Sequence, residues 1–250
     1  MTEAILTERR DRVLIITMNR PEAKNAINGA LATGLWAAVE ELNTDPSLTA
    51  GVLTGAGGAF CSGMDLKGFA KGEDIGPATH FFQNGAEKPI IAAIEGFALA
   101  GGLELALACD LLVAAEGARL GIPEVKVGLF AAGGGVLRLP SRVGYGKAME
   151  MAITGDPISA EEAHTFGLVS KLAAPGTAVD VAIELAERVA RNAPLAVAAS
   201  KRMIRASQGA PEADLWTLQS TLVAGVFSSN DAKEGPAAFA EKREPKWTGS

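Results

Sequence analysis

"KPIIAAIEGFALAGGLELALACDLLVAA", residues 88–115, decides how the chain is read. Ile90-Ile91-Ala92-Ala93-Ile94 is short and continuously apolar, as in a strand covered on both faces, and Leu111-Leu112-Val113-Ala114-Ala115 repeats the pattern. Between them, Leu103, Leu105, Ala106, Leu107 and Ala108 follow the Gly101-Gly102 pair and read as a buried helix. Strands alternating with helices indicate an α/β core. Glu104 breaks the apolar pattern in the first turn of that helix. A carboxylate there either complements the helix dipole or serves as a reactive group beside unpaired backbone N–H groups. Those same N–H groups suit an acyl oxygen that becomes an oxyanion or enolate, although Gly101-Gly102 also fits close strand-on-helix packing.

Working outward, Val13–Met18 reads as another buried strand and Gly51–Thr54 as a third. Asn28 caps a helix presenting Leu31, Leu35, Val39 and Leu42 at helical spacing. Beyond about residue 141 the pattern turns helical, punctuated by Gly155, Pro157, Gly167, Pro194 and Pro211.

The 250 residues, 48% apolar and 21% charged, fit a globular chain of ordinary domain size, with room for an appendage. A net charge of −6 argues against a nucleic-acid partner. Cys61 and Cys109 are the only cysteines, too few for a disulfide framework, so a reducing compartment is expected. No signal-like segment opens the sequence and no apolar run reaches membrane-spanning length, so a cytoplasmic protein with no membrane partner is expected. With His80 and His164 as the only histidines, no metal site is expected and acid-base chemistry falls to carboxylates.

The loop Gly55–Asp65 follows a strand but lacks a phosphate-binding motif, because Phe60 stands where the third glycine of Gly-x-Gly-x-x-Gly belongs. It remains a tight turn, or a place where backbone approaches a ligand and points an N–H at it. Ser62-Gly63 is no nucleophile elbow, since Phe60 also occupies the position two residues before Ser62. Glu124 follows Pro123, which sets a turn or helix start. Glu161-Glu162 after Ser159 reads as helix capping. Glu104 and Glu124 together, near candidate oxyanion donors, form the stronger catalytic candidate.

Five segments in order, "GAFCSGMDL", "KPIIAAIEGFALAGGLELALACDLLVAA", "ARLGIPEVKVGL", "ITGDPISAEEAHTFGLVSKL" and "DAKEGPAAFAEKREPKW", resemble the enoyl-CoA hydratase/isomerase (crotonase) superfamily, hydratase branch. The resemblance spans nearly the whole chain. It implies an α/β, crotonase-like core of repeated strand-strand-helix turns in residues 1–190 and a helical C-terminal region in residues 191–250 for trimerisation and CoA contact. It further implies an acyl-CoA thioester as substrate, coenzyme A as part of that substrate with no separate cofactor, and a homotrimer or dimer of trimers. By position, the Met64 and Gly101 N–H groups match the oxyanion donors, and Glu104 and Glu124 the catalytic carboxylates, which implies that Glu104 takes a proton from the water attacking C3 and Glu124 supplies one to C2. Ser62, Asp65 and Lys67 fall in a CoA-contacting segment, and Phe239 and Lys242 match the tail that reaches adenine and phosphate.

The expected reaction is hydration of a 2-enoyl-CoA. Another crotonase-type acyl-CoA dehydratase or an enoyl-CoA isomerase is the nearest alternative, and a non-catalytic acyl-CoA-binding protein ranks below both. One departure bears on the reaction. Many hydratases carry Pro-Gly-Ala-Gly-Gly-Thr-Gln after the second glutamate, where this chain has Ala131-Ala132-Gly133-Gly134-Gly135-Val136-Leu137. If the water-holding N–H at Ala132 needs φ > 0, alanine is strained there. Phe69, Phe81 and Phe82 suit either an apolar acyl pocket or the core.

Overall fold

The computed structural model describes residues 3–250, apart from the side chain of Phe69. The chain divides into two compact units, Met1–Ala186 and Glu187–Ser250.

In the first unit the apolar runs become the inner strands of one sheet. Its strands are β1 (Ile5–Arg10), β2 (Val13–Met18), β3 (Ala50–Gly55), β4 (Ile90–Ile94), β6 (Leu111–Ala115) and β9 (Lys171–Ala173), lying side by side in that order. Only β1 pairs antiparallel; β2, β3, β4, β6 and β9 run parallel. Parallel strands need cover on both faces, which is why β4 is buried at every residue. Helix α1 (Gly29–Thr44) supplies part of that cover with Leu31, Leu35, Val39 and Leu42, all fully buried. Asn28 caps it as expected, its Oδ1 accepting from the Leu31 N–H at 3.0 Å.

A second, three-stranded sheet holds β5 (Phe97–Leu99), β7 (Arg119–Gly121) and β8 (Ile158–Ser159). Thus β4, β5 and the helix α4 (Gly101–Ala108) form one strand-strand-helix turn, and β6 with β7 begins the next. The short helices α2 (Leu66–Ala70) and α3 (Gly76–Asn84) lie between β3 and β4 in sequence, and α5 (Gly135–Val143) follows β7. Phe81 and Phe82, candidates for an acyl pocket, belong to the hydrophobic core. Ser159 caps the next helix, Ala160–Thr165, by accepting from the Glu162 N–H at 3.2 Å. This accords with the capping reading of that acidic pair.

The second unit is helical, with segments Pro194–Ala206, Glu212–Phe227 and Asn230–Glu241. Its C-terminal residues fold back on Asp231, a carboxylate only 3% exposed that accepts from the N–H groups of Thr248 (2.7 Å) and Gly249 (3.0 Å). Among the described residues no helix is long and apolar enough to cross a membrane.

Candidate active site

Two segments carry the backbone donors. The residues after β3 return past Ile27, whose N–H donates to Gly63 O at 2.8 Å and whose carbonyl accepts from Asp65 N–H at 2.9 Å. In such a bridge the N–H between, that of Met64, points the opposite way. At the start of α4, Ala100 N–H is used by Gly121 O at 2.9 Å. The next N–H, of Gly101, belongs to the unpaired first turn. Neither Met64 nor Gly101 N–H has an acceptor among the described residues. They are close: a Cβ built on Gly101 would stand 3.6 Å from Met64 N. Gly102 allows this approach, because a Cβ there would lie 2.3 Å from Cys61 O.

Ala100 itself is held at φ 51°, ψ −130°, a region costly for a residue with a Cβ and typical of functional backbone. The strain sits one residue before the Gly101 donor.

The donor loop is braced by residues that sequence reasoning did not single out. Asn25, fully buried at φ 55°, accepts from Arg20 N–H at 2.9 Å and donates to Ala56 O (2.9 Å) and Ala59 O (2.8 Å). The Arg20 guanidinium pairs with Asp65 Oδ2 at 3.0 Å. Asp65 Oδ1 accepts from the N–H groups of Lys67 (3.1 Å) and Gly68 (3.3 Å), capping α2. The Arg20 hydrogen bond, helped by those N–H groups, holds the Asp65 carboxyl below its ordinary range despite burial. Asp65 thus builds the loop, while Lys67 beside it is exposed and Ser62 half-buried. Phe239 (87% exposed) and Lys242 lie in the second unit.

Glu104, 5% exposed, accepts from the Gly135 N–H at 2.9 Å. Burial pushes its carboxyl up, opposed by the N–H groups of Gly135 and Gly133 and the Arg138 charge. Glu124, in a 3-10 turn Pro123–Val127, has Pro123 at its start as the sequence suggested. Its Oε2 is buried without a hydrogen-bond partner. Burial, with the Glu104 charge adding to it, pushes the Glu124 carboxyl up to about 7. The Glu104 contribution also places the two carboxylates within electrostatic reach of each other. Their environments differ: Glu104 is reached by the N–H groups of Gly133 and Gly135, while Glu124 has one hydrogen bond from its own backbone N–H and leaves Oε2 unpartnered.

Ala131 and Ala132 follow this turn. Ala132 is absent from the positive-φ residues among those described, so alanine is accommodated there without left-handed strain.

The bare carboxyl also predicts a stability effect. The unfolded chain releases the Glu124 proton near 4.5 while the folded chain keeps it until about 7, so stability declines as pH rises through that window. Glu124→Gln removes the decline. Urea unfolding at about pH 8 should show the variant more stable by about 1 kcal/mol, a figure reduced for the screening of a half-buried group. At about pH 4 the two should coincide; a variant destabilised at both pH values would contradict this.

A carboxyl that holds a proton near neutrality, a second whose anion is reached by backbone N–H groups, and two backbone N–H groups without acceptors suit an enzyme that works through an enolate. Comparison with known proteins names the group. The family model described as enoyl-CoA hydratase/isomerase matches residues 8–250, and the chain belongs to that family. The enoyl-CoA hydratase EchA19 of Mycobacterium tuberculosis is 40% identical over 257 residues, covering 97% of this chain and 95% of the relative. A carnitinyl-CoA dehydratase of Salmonella paratyphi A is 41% identical over 263 residues, covering 100% of both chains. The crystal structure of enoyl-CoA hydratase EchA1 from Mycobacterium marinum superposes with a TM-score of 0.96 at 54% identity, covering 99% of this chain and 100% of that one.

Proposed function

We propose that the chain is an enoyl-CoA hydratase, adding water reversibly across the 2,3 double bond of a 2-enoyl-CoA. The observation that carries this reading is the pair Glu104 and Glu124, one bound by the N–H groups of the Gly133–Gly135 turn and one with a buried, unpartnered Oε2, close to free backbone donors.

In the proposed mechanism the thioester oxygen sits between the Met64 and Gly101 N–H groups, which stabilise the negative charge that develops as water adds. Glu104, ionised, orients the water and takes its proton as oxygen bonds to C3. Glu124, protonated, delivers its proton to C2 as the enolate collapses. Proton count closes, with Glu104 left protonated and Glu124 ionised, and exchange with solvent resets the pair. Coenzyme A arrives as part of the substrate, and these steps call on no separate cofactor. Lys67, Phe239 and Lys242 are the proposed contacts to its phosphates and adenine, with Ser62 and Asp65 shaping the loop beneath. The relative named carnitinyl-CoA dehydratase, similar along its whole length, supports a second reading. In that reading the same residues dehydrate a 3-hydroxyacyl-CoA.

Assembly into a homotrimer or dimer of trimers fits the large apolar side chains left bare on the isolated chain. Phe130 (65%), Leu137 (81%) and Tyr145 (73%) are exposed in the first unit and Phe227 (75%) in the second. A cytoplasmic location is part of the same proposal.

The pH dependence follows from the pair. Only the singly protonated form is active, so kcat/KM is bell-shaped. It falls as pH rises through about 7, where Glu124 gives up its proton, and falls in acid as Glu104 gains one. Hydration consumes no net proton, so the equilibrium constant ties both directions to the same limbs. Rates of both directions measured across neutrality should superimpose after scaling; a profile flat through neutrality would contradict the assignment.

The test of the reading is loss of enoyl-thioester absorbance over a panel of 2-enoyl-CoA chain lengths. Turnover of at least one member supports hydration. Tight CoA binding with no turnover of any member favours a binding protein instead.

A further inference from the structure

The residue that ties the Glu104 cradle to the rest of the unit is Arg138, on α5. Its Nη2 donates to Phe82 O and, at 3.3 Å, to Gln83 O. These are last-turn carbonyls of α3, which have no partner inside their own helix and carry its negative end. Its Nη1 donates to Gly133 O at 3.5 Å. The same Nη1 packs against Gly134, where a Cβ would stand 2.4 Å away. The flanking residues hold the carboxylate: Gly135 donates to Glu104 Oε1 at 2.9 Å, and a Cβ on Gly133 would lie 2.8 Å from Oε2. One guanidinium therefore clamps the Gly133–Gly135 turn from outside while Glu104 occupies its inner side.

We propose that Arg138 is a positioning residue, whose planar fork holds the Gly133–Gly135 turn in the place that aims Glu104 at the water attacking C3. This rests on the hydratase reading. A fork is required because the carbonyls it bridges belong to two separate segments, and an ammonium is a single point charge that cannot reproduce that geometry. The positive charge acts in the same direction, favouring ionised Glu104 against its burial.

The experiment uses the full chain as wild type, Arg138→Lys, Arg138→Met, Glu104→Gln and the double variant Glu104→Gln/Arg138→Met, with 2-enoyl-CoA turnover at high enzyme concentration. Arg138→Met should lower kcat about 10- to 100-fold with KM little changed, the cost of a misplaced reactive group. It should also move the acid limb of kcat/KM to higher pH. Arg138→Lys should return the limb but recover only part of kcat. In the Glu104→Gln background, Arg138→Met should cost nothing more, because the group it positions is gone. Losses that multiply in the double variant, or a raised KM at unchanged kcat, would overturn the proposal. If Arg138→Met does not fold, the same cycle is read with Arg138→Lys, whose partial loss of kcat must vanish beside Glu104→Gln. If the wild type turns over no 2-enoyl-CoA, the hydratase reading fails, but carbon-13 carboxyl titration still reads the clamp. Glu104 must then titrate at higher pH in Arg138→Met, or in Arg138→Lys if only that folds, than in wild type, and an unmoved midpoint overturns the inference.

Discussion

Glu124→Gln should lower kcat on a 2-enoyl-CoA by about 1000-fold or more, and Glu104→Gln should do the same, within the range expected for loss of a general acid or base. The substitution keeps shape and burial and removes the group's capacity to give up or take a proton. In the proposed mechanism Glu124 carries that proton because burial, with Oε2 left unpartnered and Glu104 near as a second negative charge, outweighs the hydrogen bond from its own backbone N–H. In the same mechanism Glu104 is the ionised member, its anion reached by backbone N–H groups that oppose the upward push of burial. The two variants should differ in profile. Glu124→Gln loses the basic limb near neutrality, and Glu104→Gln loses the acid limb. Steady-state rates against pH check this, and a variant that keeps both limbs would remove its residue from the mechanism. Loss of activity should coincide with gain of stability in Glu124→Gln above neutrality, since a site built for reactivity leaves its carboxyl poorly solvated.

Gly63→Ala should lower kcat about 100- to 1000-fold, the effect expected of displacing one oxyanion donor. Gly63 lies at φ 105°, and a Cβ there would stand 2.7 Å from Ala100 Cβ, 3.1 Å from Leu99 O and 3.2 Å from Gly101 N. The new methyl group therefore pushes on both donor segments at once. The prediction includes a partial rescue. Adding Ala100→Gly removes the nearest of those contacts and relaxes the strained backbone at φ 51°. The double variant should recover part of kcat, measured beside circular dichroism to show that the fold is kept. Equal rates for Gly63→Ala and wild type would separate this loop from the chemistry.

The runs Ile90–Ile94 and Leu111–Ala115 were legible as inner strands because full burial writes itself as unbroken apolar sequence. Asn28 and Ser159 were legible as caps because capping is decided within a few residues. β1 escaped the same reading. Its sequence, Ile-Leu-Thr-Glu-Arg-Arg, is largely exposed at a sheet edge and carries no alternation to detect. β9, three residues long within a helical stretch, gains its identity only by pairing with β6.

For the site, Glu104 and Glu124 stood out as charges in an apolar or turn context. Their proposed division into base and acid came with the family resemblance; what the fold adds is a contrast between them, since the Gly133–Gly135 backbone reaches Glu104 while Glu124 Oε2 has no partner. Asn25 and Arg138 were invisible because their partners are distant in sequence. Asn25 meets Ala59 across 34 positions and Arg138 meets Phe82 across 56. The concern over Ala132 was a local one and dissolved once its backbone was seen to lie outside the left-handed region.

The most direct test of the central claim is mass spectrometry of a 2-enoyl-CoA incubated with the protein in heavy-oxygen water. Wild type should form a 3-hydroxyacyl-CoA carrying the heavy oxygen on C3, and this product should be nearly abolished in Glu104→Gln and Glu124→Gln. Product without the label, or labelling that survives both substitutions, would contradict the claim.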